Sequence, residues 1–185
     1  MAERRDGDAH AATGRADPST GETADDDGTD PRSTGASSVA YARTLVSGLL
    51  FGVGLAAFVD ETVFHQLLHW HHFYDRSTLA AGLVSDGLFH AFGWFAAVVS
   101  LFMLADLGRR RRLSWLRWIG GVALGAGAFQ LYDGTIQHKL LGLHQIRYGV
   151  DLLPYDLAWN LLAVMMIIIG VVLTIRTRPR ARVRG

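Results

Sequence analysis

The sequence predicts an all-α protein, a four-transmembrane-helix bundle with a disordered acidic N-terminal tail. Three observations carry this prediction. Mostly apolar stretches of about 20 residues, the length a membrane helix needs, recur between residues 39 and 176. Arginine collects in the links between alternate stretches. Residues 1–38 differ altogether: nine Asp/Glu, four Arg and almost no large apolar side chain, a net charge of −5.

A segment as polar as 1–38 buries too little surface to offset the entropy of ordering it, which predicts disorder. It has no apolar run of the signal-peptide kind, so the first span is expected to act as the targeting signal and remain in the protein. That span runs from Val39 through Val59 and is expected to continue as helix into the run His65-Gln-Leu-Leu-His69-Trp-His71-His72. The second starts at Ser77 or Leu83 and ends near Leu107, and the third runs from Trp115 to about Leu141. Gln130, Asp133, Gln137 and His138 dilute the third, so hydropathy alone marks it weakly. The fourth runs from Asp156, a suitable N-cap, to about Ile175. The membrane domain is thus 39–176, followed by a basic tail at 177–185.

Arg43, the run Arg109–Arg112 with Arg117, and the arginines from Arg176 onward all fall at the same ends of the spans. The positive-inside rule then predicts a multi-pass protein of the plasma membrane with both termini cytoplasmic. These arginines read as topology determinants facing anionic lipid, and no nucleic-acid partner is expected. There are no cysteines, which excludes disulfides, thiolate ligands and thiol nucleophiles.

Seven of the eight histidines lie between residues 65 and 144, inside the apolar body. Ionisable groups are costly in a bilayer, so their presence there points to function. Counted at 1.5 Å per helical residue from the arginine ends, Asp60 lies at roughly 26 Å, Asp133 at roughly 24 Å and His90 at roughly 28 Å. His65, Asp86 and His138 follow at roughly 32–34 Å. On the fourth span Asn160 lies at roughly 24 Å and Asp156 at roughly 30 Å, so polar groups from all four spans meet at one level near the outer face. On a continuous helix His65, His69 and His72 share a face, as do Asp86 and His90. His71 lies off that stripe unless the helix ends near Trp70.

Imidazoles joined by carboxylates from neighbouring helices are how bundle-core metal sites are built. Without sulfur ligands, zinc and non-haem iron suit the donor set best, with copper possible. The alternatives are a metal-free proton relay or pH sensor, since histidine titrates near neutrality, and a purely structural polar core. A zinc centre with an open position would act as a metallohydrolase on a lipid-like substrate. A di-iron centre would do oxygen chemistry, and a non-enzymatic protein would handle metal or haem.

Phe58-Val-Asp60, Phe64-His65-Gln, Trp70-His71-His72, Asp86-Gly-Leu-Phe-His90, Asp133-Gly134, His138, Leu141-Gly-Leu-His144-x-x-Arg147 and Asp156-Leu-Ala resemble the domain-of-unknown-function 2243 family of bacterial and archaeal predicted membrane proteins. The resemblance covers roughly residues 45–175 and implies a small four-helix integral membrane protein. It implies His65, His71, His72, His90, His138 and His144 as the central set, with His69 and Glu61 outside it. Asp60, Asp86 and Asp133 are by their own positions expected to assist, as metal ligands or as partners of the imidazoles. By association it also suggests components of respiratory oxidase assembly as partners.

Overall fold

The computed structural model describes residues 31–178. The expected disorder of residues 1–30 and most of the basic tail lie outside the described residues. Four helices follow in order: α1 (Pro31–Asp60), α2 (Leu79–Arg109), α3 (Trp115–Tyr132) and α4 (Leu153–Arg176). α1 begins upstream of the boundary at residue 38, with Pro31 in a first-turn position where its missing N–H costs nothing. α1, with its extension, α2 and α4 are each long and apolar enough to cross a membrane. α3 has 18 residues, includes Arg117 and Gln130, and does not meet that measure.

The helix ends correct two expectations. α1 does not continue through the histidine run: at Glu61 it widens into a π-helix that stops at Leu67. Asp156 does not cap α4, which starts three residues earlier with Pro154 in its first turn, while the Asp151 carboxylate accepts from Leu153 N at 3.1 Å. α2 starts at Leu79 behind Thr78, whose hydroxyl accepts from Ala81 N at 3.3 Å.

α1 and α3 pack together, α2 packs on α1, and α4 packs on α3. The α1–α3 contact is backbone against backbone. A Cβ on Gly52 would collide with Val122 O, and one on Gly125 with Leu49 O. Gly48 meets Trp118 O in the same way, and Gly121 would place a Cβ 2.9 Å from Leu45 O. Small residues at this spacing are what lets membrane helices approach so closely.

These contacts come in pairs related by a shift of 73 residues, and the shift extends through the sequence. Gly-x-x-x-Gly-x-Gly, then Asp-x-Thr-[Val/Ile]-x-His-x-Leu-Leu-x-x-His, occurs at 48–71 and again at 121–144. The backbone repeats too. α3, like α1, runs on into a π-helix, here Asp133–Leu140. Leu68 N bonds to Val63 O at 2.9 Å, as Leu141 N does to Ile136 O at 2.8 Å, and both turns then pass through positive φ, 51° at His69 and 55° at Gly142. For α2 and α4 the shift is 70: a Cβ on Gly54 would meet Gly93 O and Ala97 N, and one on Gly127 would meet Ala163 O and Ile167 N. The bundle is thus two helix pairs related by a pseudo-two-fold along its axis.

Arginines mark one end of this axis. Arg43 pairs with Asp106 at 3.2 Å, and Arg117 donates to Tyr41 O at 3.0 Å and Thr174 O at 3.2 Å. Both π-helices lie at the other end. Gly52→Ala or Gly125→Ala should therefore destabilise the bundle by at least about 1–3 kcal/mol, the cost of overpacking a close contact. Gly87→Ala, where no atom of the described residues lies within 4 Å of the added methyl, should be near neutral. Thermal unfolding in detergent checks the contrast.

Candidate metal centre

A π-helix closes i→i+5 hydrogen bonds, so residues four and five apart stack on one side. That brings Asp60 to His65 (Oδ2 to Nε2 3.6 Å) and Asp133 to His138 (Oδ2 to Nε2 3.0 Å). It also sets Glu61 Oε2 2.9 Å from His65 Nδ1. Past each π-helix the chain turns back, and the turn delivers His71 and His144 into the same space. Their rings stack at 4.6 Å with an interplanar angle of 5°. Within each repeat the two imidazoles lie close, 4.4 Å for His65–His71 and 4.7 Å for His138–His144. The cross-repeat pairs His65–His144 and His71–His138 both lie at 6.1 Å.

These side chains are buried: His65, His138, His144 and Asp133 are each 1 % exposed and Glu61 is 0 % exposed. Three overlapping sets have donor atoms close enough to surround a metal ion: His71, His138 and His144; Asp60, His65 and His71; and Glu61, His65 and Asp86.

The ring nitrogens show how the imidazoles are held. His71 Nδ1 bonds to Ile146 O at 3.0 Å and His144 Nδ1 to Phe73 O at 2.9 Å, the two bonds being mates under the pseudo-two-fold. As donors to these carbonyls, both rings leave Nε2 with a free lone pair. His65 Nδ1 faces Asp86 Oδ1 at 3.1 Å as well as Glu61. The Nε2 atoms of His65, His71, His138 and His144 are buried with no protein hydrogen-bond partner among the described residues, as are His138 Nδ1, Asp133 Oδ2 and Glu61 Oε2. His138 Nε2 and Asp133 Oδ2 are 3.0 Å apart yet misaligned for a hydrogen bond. Two donors so placed suit neighbouring ligands of one ion. Burial, then the surrounding imidazoles of His65, His144 and His138, lowers the pKa of His71 well below the ordinary value. That direction favours the neutral imidazole, the form that binds metal.

A second layer steadies these groups. Asp86 accepts from Phe73 N at 2.7 Å and contacts His72 Nδ1 at 2.6 Å while it holds His65. Gln137 donates to Asp133 Oδ1 at 3.1 Å, and Gln66 to Glu61 Oε1 at 2.7 Å. The negative ends of the α1 and α3 dipoles also point this way, which favours a cation there.

Of the residues singled out in the sequence, Asp60, His65, His71, Asp86, Asp133, His138 and His144 meet in one cluster. His72 stands at its rim, half-buried behind Asp86. His90 stands apart, its ring 5.1 Å from Phe58. The helix ends before His69, which is exposed on the turn, so the expected His65–His69–His72 face does not form. Glu61, set aside by the resemblance, lies inside the cluster. The signal that would have shown the pairing of half-sites is the 73-residue repeat, visible by comparing the sequence with itself.

Residues 47–177 match the family described as predicted membrane protein (DUF2243). No curated protein and no solved structure matches the chain. The matched segment takes in both repeats and every donor of the cluster, and by that match the chain belongs to the DUF2243 family of predicted membrane proteins.

Proposed function

We propose that this protein is a membrane-embedded metalloenzyme of the zinc-hydrolase type, acting on a lipid-like substrate. One observation carries the metal reading: imidazole Nε2 atoms converge, buried and unpaired, while the Nδ1 atoms of His65, His71 and His144 are held by carboxylate or carbonyl oxygen. That is the arrangement of metal-bound histidine, whose other nitrogen is fixed by such a partner. Magnitude separates it from a structural polar core. Leaving a buried polar atom unpaired costs about 1–3 kcal/mol, and six such atoms lie here among the described residues, leaving out Glu61 Oε2, which faces His65 Nδ1 at 2.9 Å. Left with neither metal nor water, these atoms would cost on the order of 10 kcal/mol, comparable to the whole stability of a domain.

A zinc ion in this site would supply a Lewis acid and lower the pKa of bound water towards 7. The chain's part is to hold the donors. Asp86 and Glu61 keep the proton on His65 Nδ1, the two carbonyls do the same for His71 and His144, and Gln137 fixes the Asp133 carboxylate. A lipid-like substrate is supported by a cavity of about 430 Å³ lined by Phe73, Leu88, Phe89, Phe129, Tyr132 and Gln137. Leu88 and Tyr132 are 69 % and 50 % exposed on the flank of the bundle, and Gln137 joins this apolar space to Asp133. A molecule with an apolar tail would enter sideways from the bilayer.

Two further readings are separable. Two histidines and one carboxylate per repeat is also a non-haem iron donor set, and metal analysis distinguishes iron from zinc. A factor that passes metal to a respiratory oxidase needs donors that open to a partner. Here Asp60, His65, His71, Asp133, His138 and His144 are all 5 % exposed or less, which favours a resident ion. The arginine end and the positive-inside rule support a plasma-membrane protein with cytoplasmic termini and an outward-facing centre.

Detergent-purified protein should contain stoichiometric zinc or iron. Chelation should lower its unfolding temperature, because an ion bound only to the folded state at 1,000 times its Kd adds about 4 kcal/mol. His71→Ala should lose most of the metal. Metal-free protein of unchanged thermal stability would overturn the proposal. In a separate test, a reporter fused after Gly185 should report the cytoplasmic side.

A further inference from the structure

The duplication gives each repeat its own carboxylate and two imidazoles. We infer that the centre is built for two metal ions, one held by Asp60, His65 and His71 and the other by Asp133, His138 and His144, with the first bound more tightly. This rests on the metal reading above and adds the number of ions and their inequality.

Ring geometry argues for two ions. The lone pair of an imidazole nitrogen lies in the ring plane. His71 and His144 stack within 5° of parallel, so their lone pairs run in separate planes and address different points. A single shared ion would lie out of the plane of at least one ring, although distances alone would allow His71, His138 and His144 to surround one. The donor count agrees. Six protein donors on one ion would leave no position for water, whereas three on each ion is the count of catalytic zinc sites and of two-His-one-carboxylate iron sites. In the second half, Asp133 turns Oδ2 to His138 at 3.0 Å and Oδ1 to His144 at 3.6 Å.

The surroundings of the two halves are not alike. His65 Nδ1 faces the carboxylates of Glu61 at 2.9 Å and Asp86 at 3.1 Å. Under the repeat, Gly134 takes the place of Glu61. Asp156 takes the place of Asp86, and its carboxylate pairs with Lys139 Nζ at 2.6 Å. His138 Nδ1 is left buried without a partner among the described residues. Carboxylate partners make a ligating imidazole more basic, and losing such a partner typically costs about 10–100-fold in metal affinity.

The test is titration of demetallated, detergent-purified full-length protein with Zn²⁺ against a chromophoric chelator, and with Co²⁺ read by its visible absorption. Two equivalents are expected, with dissociation constants about 10–100-fold apart. His138→Ala should keep the tighter equivalent and lose the weaker, and His65→Ala the reverse. Glu61→Gln, a conservative change, should keep both equivalents while bringing their affinities closer. A single equivalent abolished by either histidine variant would overturn the two-ion assignment and leave the proposed function standing. Two equal equivalents would overturn the inequality. No binding at all would sink the metal reading and this inference with it.

Discussion

The close contact between the backbones of α1 and α3 is the constraint on which the rest depends. Where Gly48 and Gly52 face α3, and Gly121 and Gly125 face α1, main-chain carbonyls occupy the space side chains would fill. Helices this close have almost no freedom to slide or rotate against one another. The register that the glycines set is carried up the bundle to the two π-helices, which arrive at the same level side by side. The stacking of His71 on His144 beyond them is a direct consequence.

The π-helices convert that register into a site. A regular α-helix advances 100° per residue, which would place Asp60 and His65 on different faces. The wider turn stacks residues five apart, and does the same for Asp133 and His138. π segments recur at functional sites because such local geometry survives only where something else stabilises it. Here the compensation comes from converging donors and from the negative ends of two parallel helix dipoles, both of which favour a bound cation.

The duplicated scaffold does not make the two halves chemically equal. Ser47 and Ser100 exchange hydrogen bonds between α1 and α2, with Ser47 Oγ to Ser100 O at 3.0 Å and Ser100 Oγ to Ser47 O at 2.6 Å. Gly120 and Gly170 hold the corresponding places between α3 and α4. The flanking cavities differ as well. The one between α2 and α3 is about 430 Å³, whereas its counterpart, narrowed by Phe64 and Trp159, is about 200 Å³ and reaches Asp60. Backbone packing keeps the symmetry while side chains depart from it, both at Ser47 and Ser100 towards the arginine end and around the candidate donors.

By itself the sequence determined the all-helical class, the positions of the four helices, the arginine end and the common depth of the histidines and aspartates. These follow from local composition and from rise per residue, which need no knowledge of neighbours. Which donors face one another was decided only by the tertiary structure. His90 lies at the right depth but its ring meets Phe58, because depth along a helix says nothing about rotation around it. His69 and His72 looked like partners of His65 on a continuous helix. The change to π geometry at Glu61 and the stop at Leu67 broke that face and brought in His71 instead. Glu61 entered the cluster through its π-helix neighbour His65, which Asp86 holds from α2. His144 was placed by its bond to Phe73 O, 71 residues away in the chain, a contact no local pattern encodes.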